Sequence, residues 1–183
     1  SVNNGSISRF GAIDDTEGGF TSRTNFNVQY KSQLSETTSL KSNAYYSKYD
    51  FELFSNFTFF LEDPVNGDQI RQHEDRQLFG FNTRFTTKNT YNSTKVNYHY
   101  GTGLRYDVND DVELSRTLNR KEVLENIQLG DVKQQNSFAF ADAGIHLGKF
   151  IVTPGLRLEY FKFQYNDALQ ERFESKSADE LAL

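Results

Sequence analysis

From residue 20 to residue 34 the chain alternates with a period of two. Thr21, Arg23, Asn25, Asn27, Gln29, Lys31 and Gln33 are all polar, while Phe20, Ser22, Thr24, Phe26, Val28, Tyr30, Ser32 and Leu34 between them are aromatic, aliphatic or small. Successive side chains of a strand point to opposite faces, so this segment is a ribbon with one wet face and one apolar face. Phe26, Tyr30 and Leu34 are also spaced to suit a helical stripe. The stretch 94–106 decides for strands: Val96, Tyr98, Tyr100, Leu104 and Tyr106 share one parity, against Lys95, Asn97, His99, Gly101, Gly103 and Arg105 on the other.

The same reading places strands at 6–12, 20–34, 38–53, 72–86, 90–107, 132–147 and 150–163. Short turns fall at 35–37, 87–89 and 148–149, and longer links at 13–19, 54–71 and 108–131. Neighbouring strands of a meander run in opposite directions, so the short turns gather at one end and the long loops at the other. Outer-membrane barrels have this asymmetry, and a soluble sandwich or barrel has no reason for it. Several strands exceed the ~9–11 residues that cross a bilayer, which carries the long loops away from lipid. In the third strand Leu40, Ala44 and Tyr46 lie on one parity and Tyr49, Phe51 and Leu53 on the other, predicting a bulge near Ser47 or the end of lipid contact there. The charged tail 170–183 reads as a loop or a frayed end.

Composition narrows the class. Aromatic residues make up 15% of the 183 positions, yet mean hydropathy is −0.70. That excludes a bundle of membrane helices, each needing about 20 mostly apolar residues in a row. It does not exclude a membrane barrel, whose strands show lipid only every second side chain. A net charge of −5 argues against nucleic acid as a partner. The chain holds no cysteine, which leaves the redox compartment open. It also holds no methionine, so the expectation is a fragment of a longer protein.

Arg9-Phe10-Gly11-Ala12-Ile13-Asp14, followed by Gly18-Gly19, resembles an outward corner of TonB-dependent outer-membrane receptors. More specific is the run from Leu53-Phe54-Ser55-Asn56 through Phe57-Thr58-Phe59-Phe60-Leu61 and Glu62-Asp63-Pro64-Val65 to Asn66-Gly67-Asp68-Gln69. It is similar to a loop in one branch of that family, with Gln72, Asp75, Arg76 and Gly80 also in place. The stretch 137–159, with Gly155-Leu156-Arg157, resembles a hairpin of the same barrels. The resemblance implies an all-β fold, with about seven antiparallel meander strands of a larger 22-stranded barrel that encloses a plug. It also implies a Gram-negative outer membrane, and a TonB complex that energises import of scarce nutrients such as ferric siderophores. The chain shows neither a plug nor a TonB box nor a terminal aromatic strand, so it reads as roughly the middle third of a barrel. Residues 1–169 are then barrel wall.

No catalytic constellation and no cofactor site emerges. His73, His99 and His146 are isolated from one another, and Asp14-Asp15 and Asp110-Asp111 read as turn residues. Gly101-Thr102-Gly103 lacks the helix start of a phosphate loop. The segment 56–73 sets Phe57, Phe59 and Phe60 beside Asp63, Asp68 and Gln69, the candidate contacts for a small molecule or metal chelate, with Asn66-Gly67 as a type I′ hairpin signal. Leu124 and Ile127 suggest a helical turn in the link 108–131. Arg23, Lys31, Arg84, Lys95, Asn97, His99, Arg105, Arg157 and Glu159 share the polar parity of their strands. A charge facing lipid at the midplane costs about 2–4 kcal/mol, so these residues are expected to face the lumen, toward a plug or a ligand. The competing reading is a small self-contained barrel or surface adhesion module that binds without transport.

Overall fold

The computed structural model describes residues 14–169 and 175–182. Eight strands form one antiparallel sheet: β1 (Gly18–Gln33), β2 (Thr38–Ser55), β3 (Ile70–Tyr91), β4 (Thr94–Leu118), β5 (Glu122–Leu147), β6 (Phe150–Val152), β7 (Gly155–Asp167) and β8 (Ser175–Ala182). Neighbours in sequence pair in space from β1 to β5, then β5 pairs with both β6 and β7, and β7 with β8. Among the described residues no second layer covers the sheet. Only Phe54 and Val96 are buried hydrophobic residues among those described.

β6 and β7 are one strand interrupted at Pro154. Ile145 pairs with Val152 and Asp142 with Gly155, so the register is unchanged across the gap. The Ala143 amide donates to the Pro154 carbonyl at 3.0 Å, and proline has no N–H to return the bond.

The turn expected at 87–89 lies further on. β3 runs to Tyr91, and the chain reverses at Asn92 and Ser93, both at positive φ (45° and 72°) as a two-residue type I′ turn requires. The link 108–131 is no loop and holds no helical turn. β4 and β5 continue as a hairpin to a reversal at Asn119 and Arg120, with φ of 52° and 61°. Irregular register between Asn109 and Val112, Leu114 and Ser115, and Arg116 and Thr117 breaks the alternation there, which hides both strands from a period-two reading. Asp110 and Asp111 sit inside β4 at that irregularity rather than in a turn. Residues Ser175–Ala182, within the tail read as loop, pair with β7. The strand expected at 6–12 lies outside the described residues.

Candidate functional site: the two faces of the wall and the loop cluster

Cross-strand partners in an antiparallel sheet share a face, so the register assigns every strand side chain to one face or the other. One face carries the row Phe26–Tyr46–Phe79–Tyr106, each residue directly opposite the next. From this row toward the short-turn end it stays apolar or small, with Val28, Ala44, Phe81, Leu104, Ala139 and Leu158 among its residues. Phe26 is 64% exposed and Leu156 62%, which is unsustainable in water over so wide an area.

One step toward the long-loop end the same face turns polar. Thr24, Lys48 and Gln77 form the next row, and Ser22, Asp50, Asp75 and Asp110 the one above. Lys48 bridges Asp50 and Asp75 at 3.4 and 3.3 Å, and Arg71 joins Glu52 (2.9 Å) to Glu113 (3.0 Å). The β1–β2 register is continuous through Ser47, so the parity change in β2 is the end of the apolar band and no bulge. On β4 the band runs from Val96 to Tyr106. At ~3.3 Å per residue and a tilt near ~45°, that is about 24 Å of height, which matches the lipid-facing band of a membrane barrel. Phe26, Tyr46, Phe79 and Tyr106 close the band with a row of rings, as the aromatic girdles of such barrels do.

Arg23, Lys31, Arg84, Lys95, Asn97, His99, Arg105, Arg157 and Glu159 all fall on the opposite face. His99 Nδ1 lies 2.6 Å from Asp142 Oδ1, and Asn97 Nδ2 lies 3.2 Å from His146 Nε2. Arg105 and Arg76 both donate to Asp107, at 3.0 and 2.6 Å. Arg23 lies over the Tyr49 ring, 4.7 Å from its centre. Gly101 and Gly103 stand opposite Phe140 and Phe138, and a Cβ at Gly103 would meet the Phe138 ring at 2.5 Å. The two glycines are therefore beds for those rings, on which Arg84 (5.5 Å) and Arg157 (4.0 Å) lie in turn. One row of this face reads Lys31–Lys41–Arg84–Gly101–Phe140–Arg157, with no acid in it.

At the long-loop end the segment 56–69 divides its candidate residues. Phe57 is 80% exposed and Phe60 58%. Asp63, Asp68 and Gln69 are instead occupied within the protein. Asp63-Pro64-Val65-Asn66-Gly67 makes one helical turn: Asp63 Oδ1 accepts the Val65 and Asn66 amides, and the Gly67 amide donates to the Asp63 carbonyl at 2.9 Å. This replaces the type I′ turn expected at Asn66-Gly67; only Gly67 has positive φ, at 83°. Asp68 accepts the Glu62 and Asp63 amides at 3.0 and 2.8 Å. These bonds hold both carboxyls below the usual carboxylate range, chiefly through the Asn66 amide for Asp63 and the Glu62 amide for Asp68.

Gln69 is 3% exposed and ties three segments together. Its Nε2 donates to Thr16 Oγ1 at 2.6 Å, and its Oε1 accepts from Thr117 Oγ1 and from the Arg120 amide. Asn56 fastens the same junction, its Nδ2 donating to Asp14 Oδ2 and its amide to Glu17 Oε1, both at 2.9 Å. Sequence reasoning missed Thr16, Asn56, Thr117 and Arg120, which come from three stretches far apart in the chain.

Residues 2–180 match the family described as TonB dependent receptor-like, beta-barrel. The chain belongs to that receptor family. No curated protein sequence matches it significantly. Among solved structures, the receptor segment is similar to the ferric citrate transporter FecA in its unliganded form, with a TM-score of 0.74 and 12% identity. The match covers 90% of this chain and 24% of that one, a likeness of fold in which this receptor segment spans about a quarter of the solved chain. Among the described residues no group of three or more His, Asp or Glu is placed to hold a metal ion.

Proposed function

We propose that this segment is part of the wall of an outer-membrane receptor, energised through TonB, that imports a scarce nutrient such as a ferric siderophore. The observation that carries the reading is the apolar face that ends abruptly at the row Phe26–Tyr46–Phe79–Tyr106 and gives way to ion pairs. Such a face suits a lipid bilayer with water beyond it.

On this reading the polar face lines the lumen. Like charges directly opposite one another on a sheet are destabilising, so the run Lys31–Lys41–Arg84, in which Arg84 lies 3.8 Å from Asp142 and the two lysines have no ion-pair partner among the described residues, calls for anionic groups from whatever fills the barrel. The plug domain of the same receptor is the proposed source. The loop cluster is the outward end, where Phe57, Phe59 and Phe60 offer the cargo aromatic surface.

The test is iron accumulation from ferric citrate and from a panel of ferric siderophores, in iron-limited cells with and without the gene for the full receptor. Loss of uptake of one chelate, reproduced by a protonophore in the parent cells, is expected. Unchanged uptake of every ferric chelate would remove iron import from the reading, and insensitivity to the protonophore would remove energised transport.

A further inference from the structure

Between the Asp14–Thr16 turn, the 56–69 loop and the β4–β5 reversal lies a cavity of about 320 Å³. Phe59, Phe60, Asp14, Asp15, Asn56 and Asn119 are among the residues that line it, and no Lys, Arg or His does. Asp14 accepts hydrogen bonds from Thr16 and Asn56, which hold its carboxyl below the usual range and keep it anionic at neutral pH. Asn56 is 5% exposed, and its Oδ1 is buried without a hydrogen-bond donor among the described residues. A buried acceptor left so is costly. The cation of this cluster, Arg120, is already committed to the carbonyls of Thr16 and Glu17 and to the Phe54 ring.

We propose that this cavity seats an organic cation, the ammonium or guanidinium arm of the receptor's cargo. Two acidic and two aromatic residues in one lining, with no basic residue among them, favour a positive, donor-rich group. An anion would meet Asp14 and Asp15 instead. The volume is at the small end for ligand pockets, so the cavity takes an arm of the cargo and the rest stays outside. This proposal rests on the reading of the loop cluster as the cargo-capturing end of the receptor.

The probe is agmatine, which carries both an ammonium and a guanidinium group, titrated into the full-length receptor in detergent and followed by calorimetry. Saturable binding is expected, weakened about five- to tenfold by Asp15→Asn and by Phe60→Ala, the size of one desolvated cation–π or charge contact. Val65→Ala, exposed on the same loop and outside the cavity, is expected to change nothing. Asp15 is exposed, so Asp15→Asn leaves the fold intact even where Phe60→Ala does not. Absence of saturable binding to the folded receptor, equal binding by Asp15→Asn, or displacement of agmatine by citrate would each overturn the proposal. Agmatine binding in a receptor that imports nothing would overturn the transport reading alone, because calorimetry needs no energised cell.

Discussion

Gln69 Oε1 accepts a hydrogen bond from Thr117 Oγ1 at 3.1 Å, and both side chains are almost completely buried at a place where a membrane receptor meets water. The Gln69 side-chain amide thus joins the loop 56–69 to the β4–β5 hairpin, beside the bond from the Thr117 amide to the Gln69 carbonyl (2.8 Å) and the ion pair of Arg116 with Asp63 (3.2 Å). Gln69→Ala strands Thr117 and the Arg120 amide and is expected to cost about 1–3 kcal/mol of local order. Limited proteolysis of the full receptor should show faster cleavage within 57–66, with heat-modifiable migration of the barrel unchanged. Equal protection in both proteins would mean that the loop is held by other contacts.

Face assignment is open to direct labelling. Single cysteines at Val28 and Tyr98 are expected to be reached by lipid-soluble quenchers, and those at Gln29 and Asn97 to be shielded from them. The reverse pattern would exchange the two faces of the wall.

The height of the apolar band makes a second, energetic prediction. Ala139→Arg, in the middle of the band, is expected to destabilise the lipid-folded receptor by about 2–4 kcal/mol, and Thr24→Arg, one step above the girdle, by about 0–1 kcal/mol. Equilibrium refolding into bilayers measures both. Equal penalties would place the boundary elsewhere.

Acid is expected to loosen the outer loop before the barrel. Asp63 and Asp68 have folded-state pKa values below their unfolded ones, so the order they supply is complete above the unfolded value near ~3.9 and lost as pH falls through the folded values. Hydrogen exchange of the Asn66 and Glu62 amides should therefore accelerate below about pH 4 while exchange in β2 and β3 stays slow. Acid-insensitive exchange would show that these carboxylates do not hold the loop.

The exposed rings carry the last prediction. Replacing Phe57 and Phe60 by Ser, with Asp63, Asp68 and Gln69 kept, is expected to leave assembly intact and weaken binding of the cargo to whole cells. Undiminished binding would leave these rings without a part in capture.

How far the sequence revealed this arrangement depended on what each side chain faces. Where one face meets hydrocarbon and the other water, alternation is strict, and the nine polar-parity residues from Arg23 to Glu159 fall together on one face. Beyond the row Phe26–Tyr46 the apolar face ends, so Lys48, Asp50 and Glu52 continue it while Tyr49 and Phe51 lie on the other face, and the pattern inverts without any break in register. The junction at Gln69 left no local trace, because Thr16, Gln69 and Thr117 are brought together only by the lengths of three separate connections.

The irregular register of the β4–β5 hairpin has a consequence for solubility. Among the described residues β7 reaches only as far as Gly130, so the stretch of β5 from Glu122 to Gln128 has no strand of those residues on that side, beyond the apolar band. A long flat edge of that kind invites pairing with another chain and, with it, polymerisation on a crowded cell surface. The irregular register of this hairpin, together with the charges of Glu122 and Glu125, makes that stretch a poor template for such pairing.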